Sequence, residues 1–137
     1  MKIALLGTGF GHAHAAVYAE RPDVDEMVVF GRTLGKLAKI SGQFGFATTT
    51  DLDAVIADPS IDLIDICLPT ALHAEVAVRA MQAGKDVLIE LPLATTLEDA
   101  HRIIAAQQAT GSVMPRRAVH RRQAGRSIGW NPSGSRR

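Results

Sequence analysis

Apolar residues in this chain fall into short continuous runs that alternate with helix-spaced ones. Ile3 to Leu6 is a continuous apolar run of strand length that stops abruptly at glycines, and the helix-forming run Ala13, Ala15, Ala16, Val17, Tyr18, Ala19 follows. Glu26 to Phe30 reads as a second strand, Leu34 to Ile40 as a helix capped by Thr33, and Phe44 to Thr48 as a short third strand. Thr50 or Asp51 caps a helix over Leu52 to Ala57, where Leu52, Val55 and Ile56 keep helical spacing, and Pro59 ends it. Ile61 to Leu68 reads as a fourth strand, and Ala71 to Ala83 as a helix that Thr70 can cap and Gly84 closes. Asp86 to Glu90 is a fifth strand broken by Pro92. Leu97 to Ala109 is a last helix, capped by Thr95 or Thr96 and followed by Gly111, and Ser112, Val113 and Met114 open a sixth strand.

Strands rich in Val and Ile that alternate with helices predict an α/β fold. The expected architecture is a doubly wound parallel sheet, the Rossmann fold, in a single domain with helices on both faces. Ligands of such sheets bind at the carboxyl ends of the strands, at the switch point. That rule selects the glycines after strand one and the ends of strands two, four and five.

Strand one runs into Gly7-Thr8-Gly9-Phe10-Gly11-His12. Glycines there allow backbone angles closed to other residues and let a phosphate approach the main chain with no Cβ in the way. The helix that begins next offers N–H groups and a positive dipole end to an anion. The stretch predicts a cradle for a dinucleotide pyrophosphate made by Gly7, Thr8, Gly9, Phe10, Gly11 and His12, with a purely structural turn as the alternative. The usual spacing is G-x-G-x-x-G. Here the third glycine comes one residue early and His12 stands in its usual place.

Strand two ends Phe30-Gly31-Arg32-Thr33, and no acid lies between Val28 and Phe44. A site for NAD usually places Asp or Glu there, on the adenosine ribose hydroxyls. Arg32, with Lys36 one turn on and Lys39 beyond, suits a 2′-phosphate, so NADP is favoured over NAD. A solvated surface arginine is the competing reading. Strand four ends Cys67-Leu68-Pro69-Thr70, with His73 in the first turn of the next helix, facing the same cleft. Glu90 ends an apolar strand, an uncommon place for an acid without a partner. A cofactor ribose hydroxyl is one such partner, and a helix terminus or backbone amide is another.

At 137 residues, 47% hydrophobic and 21% charged, the chain is one globular domain able to bury a core. A single cysteine, Cys67, rules out an internal disulfide and a zinc cluster of cysteines, and its apolar run marks it as a buried structural thiol. No metal site is expected. No stretch approaches the roughly 20 apolar residues of a membrane span, and the chain starts at once with a strand rather than a leader, so a cytoplasmic location is expected. The net charge of +1 hides an asymmetry. All 14 acids and eight of the 15 basic residues precede residue 115, giving a body of −6, while the remaining seven arginines fall in 115–137. Residues 1–114 are therefore read as the nucleotide-binding domain and 115–137 as a basic tail with no apolar periodicity. The tail reads as sequence out of frame after a lesion, as an unstructured end, or as a basic arm for nucleic acid. The acidic body makes the last the weakest.

The glycine loop with His14 after it, Gly31-Arg32, Pro69-Thr70 with His73, the run Ala80 to Val87, and Glu90-Leu91-Pro92-Leu93 keep one order and spacing over residues 2 to 114. Together they resemble the N-terminal domain of the glucose–fructose oxidoreductase/inositol dehydrogenase (Gfo/Idh/MocA) family. The resemblance implies NAD or NADP as cofactor and hydride transfer to or from sugars, cyclitols or related hydroxy compounds. It also implies that Pro69, Thr70, His73 and Glu90 border the nicotinamide ribose. Members carry Glu-Lys-Pro at the end of strand five, and here Leu91 takes the lysine position. They also have a second domain for which this chain has no room. The expectation is a truncated, catalytically incomplete coenzyme half with no confident catalytic residue, whose uncovered surface favours self-association. A non-catalytic NAD(P)-binding or regulatory protein, or a partner of an intact homologue, is the alternative.

Overall fold

Five strands, β1 (Lys2–Leu6), β2 (Glu26–Phe30), β3 (Ala47–Thr49), β4 (Leu63–Ile66) and β5 (Asp86–Ile89), pair in parallel in the order β3-β2-β1-β4-β5. The structure is a computed structural model that describes residues 1–112. The predicted tail and most of the predicted sixth strand lie outside the described residues. The helices are α1 (Gly11–Ala19), α2 (Leu34–Phe44), α3 (Leu52–Ala57), α4 (His73–Gln82) and α5 (Leu97–Thr110). The chain moves outward from β1 through β2 to β3, then returns to place β4 on the other side of β1. This reversal is the switch point, so the carboxyl ends of β1 and β4 flank a crevice.

Alternation along the strands sorts the core into two layers. Ala4 and Leu6 on β1, with Ile64 and Ile66 on β4, face Val55 and Ile56 of α3, Ala77 and Met81 of α4, and Ile103 of α5. Ile3 and Leu5, with Met27 and Val29 on β2 and Leu63 and Cys67 at β4, face Ala15 of α1 and Leu37 and Ile40 of α2. Both layers are apolar, which is why the strands read as continuous apolar runs. The odd-numbered face of β4 carries Asp65 between Leu63 and Cys67, and it therefore points toward α1.

Several boundaries differ from the sequence reading. The helix predicted to stop at Ile40 runs on through Phe44 and ends at Gly45, whose φ of +73° closes it. Phe44 therefore belongs to α2 rather than to the third strand, stacks on Phe46 at 5.6 Å, and leaves β3 only Ala47–Thr49. Thr33 makes no side-chain cap, whereas Asp51 and Thr96 do, accepting from the amides of Ala54 and Asp99. The predicted helix at Ala71 begins instead as a single 3-10 turn, Thr70–Leu72, without a cap from Thr70, and becomes α-helical at His73. The fourth strand pairs only over Leu63–Ile66, although the Cys67 amide still donates to the Leu6 carbonyl at 2.8 Å.

Candidate functional site

The three glycines after β1 do three different physical jobs. Gly7 has a φ of +117°, and a Cβ there would strike the Cys67 carbonyl at the end of β4. Its amide donates to the Phe30 carbonyl at 2.9 Å, so the ends of β1, β2 and β4 converge on a residue with no room for a side chain. Gly9 is exposed, and a Cβ there would meet nothing within 4 Å. Its backbone faces open space, as the approach of a phosphate requires. Gly11 begins α1, and its Cβ would lie 3.3 Å from Leu5 Cδ1 and 3.4 Å from Cys67 Cβ. It therefore lets α1 lie close on the sheet, the task of the third glycine in the usual fingerprint. The packing glycine thus stands one position earlier than the usual spacing puts it. His12 turns instead toward α2, where its Nε2 is 2.9 Å from Gln43 Oε1 and its ring lies 5.4 Å from Phe44. No side chain caps the start of α1.

Between the ends of β1, β2 and β4 lies a cleft of about 410 Å³. Gly7, Thr8 and Gly9 form one wall, Arg32 and Lys36 another, and Leu68 with Pro69 the third. Gly31 is buried under Thr8, whose Cγ2 would be 2.6 Å from any Cβ there. Arg32 and Lys36 are exposed at the rim, and no acid among the described residues pairs with either. Phe10 projects from the loop, mostly exposed, edge-on to His14 at 6.0 Å.

His73 departs from its expected position. It is 1% exposed and lies beneath the loops rather than facing the cleft. Its Nε2 is 2.8 Å from the Leu68 carbonyl and its Nδ1 is 3.1 Å from the Pro92 carbonyl. The ring thus ties the segment after β4, with Leu68, Pro69 and Thr70, to the segment after β5. Leu91, next to Glu90, is 83% exposed.

Glu90 has the partner its position demanded. Its Oε1 lies 2.9 Å from His14 Nε2. The other nitrogen, His14 Nδ1, is 2.7 Å from Oδ2 of Asp65, which also accepts from the Tyr18 hydroxyl at 2.8 Å. The Cys67 thiol donates to Asp65 Oδ1 at 3.6 Å. Burial would lower the His14 pKa, but the hydrogen bond and charge of Asp65, and then those of Glu90, outweigh it and raise the value above that of an ordinary histidine. Burial first, then the Asp65 charge, pushes the Tyr18 hydroxyl and the Cys67 thiol upward, so both stay protonated. The nearest donor atoms of His14, Asp65 and Cys67 lie within 4.8 Å of one another. Each already has a hydrogen-bond partner, and the thiol holds its proton, so the set is satisfied without an ion. Sequence reasoning missed Asp65. The available signal was an acid in the centre of an apolar strand, the same anomaly that singled out Glu90. His14 and Tyr18, four residues apart on one face of α1, supply its partners.

Residues 1–115 match the family model described as "Oxidoreductase family, NAD-binding Rossmann fold" (GFO_IDH_MocA). The chain belongs to the Gfo/Idh/MocA family. Its fold is that of the family's NAD-binding domain. A 4-carboxy-2-hydroxymuconate-6-semialdehyde dehydrogenase of Sphingobium sp. is 35% identical over 115 residues, which are 82% of this chain and 36% of that protein. Among solved structures, a biliverdin reductase of Synechocystis sp. PCC 6803, in complex with biliverdin and NADP+, superposes with a TM-score of 0.76 at 30% identity, covering 82% of this chain and 36% of that one. A levoglucosan dehydrogenase in complex with NADH and levoglucosan gives a TM-score of 0.75 at 32% identity, over 82% of this chain and 34% of that one. The chain thus spans about a third of the length of the Gfo/Idh/MocA relatives it matches. A nicotinamide dinucleotide is the ligand class of this domain, and relatives bind both forms of it. No helix among the described residues is long and apolar enough to cross a membrane.

Proposed function

We propose that this chain binds NADP(H) along the carboxyl edge of its sheet and serves hydride transfer to or from sugars, cyclitols or related hydroxy compounds. One observation carries the cofactor assignment. Arg32 and Lys36 stand at the rim of the cleft with no described acid paired to them, and no acid lies between Val28 and Phe44 to take ribose hydroxyls. A guanidinium matches the geometry and charge of a 2′-phosphate. Gly7, Thr8, Gly9, Phe10 and Gly11 hold the pyrophosphate. Leu68, Pro69 and Thr70 border the nicotinamide half, and Glu90 accepts from a ribose hydroxyl. His12 and His73 act from behind, holding α2 and the β4 and β5 loops in place. The bound dinucleotide supplies or accepts the hydride. The neighbour solved with NADH keeps NAD as the competing coenzyme.

The test is a fluorescence titration of the full chain with NADPH and with NADH, before and after Arg32→Ala. Loss of charge-assisted hydrogen bonds should weaken NADPH by about 10- to 100-fold and NADH by less than about threefold. Equal weakening of both coenzymes removes the 2′-phosphate role.

A second reading rests on Leu91, which is 83% exposed and can neither give a proton nor bind an anion. In that reading the chain is a non-catalytic NAD(P)-binding or regulatory protein, or the partner of an intact homologue. Leu97, also exposed, and an edge strand β5 with only β4 beside it among the described residues favour pairing with a second chain. Hydride transfer by the chain alone, in a turnover assay with keto sugars and cyclitols, defeats the non-catalytic reading.

A further inference from the structure

Beside the phosphate cleft, a line of hydrogen bonds runs from the core to the carboxyl edge of the sheet. It starts at Asp65, whose side chain is 0% exposed, and passes through His14 at 20% to Glu90 at 31%. Tyr18 and the Cys67 thiol hold Asp65 from the sides. Glu90 follows the last residue of β5 and precedes Leu91, at the edge where ligands of such sheets bind.

Two features separate this line from a simple device for hiding a buried acid. Tyr18 and Cys67 already supply donors to both oxygens of Asp65, so the link outward to Glu90 is not needed to satisfy it. The arrangement is also directional. A buried carboxylate fixes one ring nitrogen, and the other ring nitrogen meets Glu90 Oε1, which is how an imidazole is oriented for proton transfer. The Tyr18 hydroxyl and the Cys67 thiol keep their protons and so bring no charge to the line. Phe10 and Tyr18 meet the His14 ring edge-on at 6.0 and 6.4 Å and bring no charge to it.

We propose that Asp65, His14 and Glu90 form a proton relay, in which Asp65 holds the His14 ring and Glu90 exchanges the proton with the substrate oxygen. The proposal rests on reading the chain as part of a hydride-transfer enzyme. In the reducing direction the substrate carbonyl carbon takes a hydride from the reduced nicotinamide, which becomes oxidised. The His14 Nε2–H bond breaks and an O–H bond forms on Glu90. That proton then passes to the substrate oxygen, giving the hydroxyl. Glu90 is again a carboxylate, and His14 is left neutral with its Nδ1–H on Asp65 until solvent returns a proton. Oxidation of a hydroxyl runs the same steps backward. Glu90 is the catalytic residue of the relay, and Asp65 is a positioning residue that acts through His14.

The experiment follows the His14 ring nitrogens by nuclear magnetic resonance in the full chain, with His14→Gln to assign the signals. In the free chain, Glu90→Gln should lower the His14 titration midpoint by about one pH unit, a tenfold change in proton affinity. Glu90 is partly exposed and belongs to neither apolar layer, so this variant keeps the core intact. With coenzyme bound, the positive ring of NADP+ should lower the midpoint by about half a unit or more relative to NADPH. A midpoint that ignores Glu90→Gln overturns the relay. So does an identical midpoint with NADP+ and NADPH when both bind, because a relay that serves the reacting end of the coenzyme lies within reach of its charge. Failure of a folded chain to bind either coenzyme overturns the proposed function instead, and the free-chain comparison still decides whether Glu90 and His14 are coupled.

Discussion

At the scale of single residues, glycines two positions apart are predicted to fail in opposite ways. Gly7 has a left-handed φ, and a Cβ there strikes the Cys67 carbonyl, a rigid backbone atom. Gly7→Ala should destabilise the fold by about 1–3 kcal/mol or more, read as a lower urea midpoint. Gly9 has ordinary backbone angles and open space around it. Gly9→Ala should leave stability within about 0.5 kcal/mol and weaken NADPH at least about tenfold, because the new methyl stands where the phosphate approaches. If Gly9→Ala costs stability as Gly7→Ala does, the loop is only a turn. The glycines were legible in the sequence because each acts through its own backbone. Asp65 was not, because its meaning lies in His14, 51 residues away, and in Glu90 on another strand. The apolar pattern records that position as part of a buried strand and says nothing of what it faces.

At the scale of elements, the alternation of apolar runs and helical spacings carried the succession of strands and helices, because β1, β2, β4 and β5 supply residues to the apolar layers while β3, largely exposed, stays short. Boundaries were not all legible, even where a local device sets them. Gly45, with its positive φ, ends α2 after Phe44, and the aromatic pair Phe44 and Phe46 packs across that turn instead of extending β3. Capping shows the same division. Asp51 and Thr33 look alike in the sequence, yet only Asp51 accepts from an amide of its helix, Ala54 at 2.9 Å. Asp51→Ala should therefore cost about 1 kcal/mol in urea unfolding, and Thr33→Ala less than about 0.5 kcal/mol. Equal costs would mean that Thr33 contributes through a contact other than the cap.

At the scale of the whole molecule, the domain is held by two apolar layers, while the cleft between the ends of β1, β2 and β4 carries an exposed loop and two cations that no acid among the described residues pairs. The cleft contributes little to folding until a ligand fills it, so stability and binding are linked through mass action. A ligand that binds only the folded state at a hundred times its dissociation constant adds about 2.7 kcal/mol, which raises the melting temperature of a domain this size on the order of 10 °C. NADPH should produce such a rise in the full chain. NADH should produce a smaller one, since it lacks the phosphate that Arg32 and Lys36 are proposed to hold. Both cations are exposed, so added salt screens them and should narrow the gap between the coenzymes while leaving the common part of the rise in place. A gap that ignores salt would point away from the rim cations and toward contacts inside the cleft. A chain that melts at one temperature with and without either coenzyme would keep the family's fold without its binding function. The early third glycine would not be the reason, because Gly11 already does the packing that the usual spacing assigns to it.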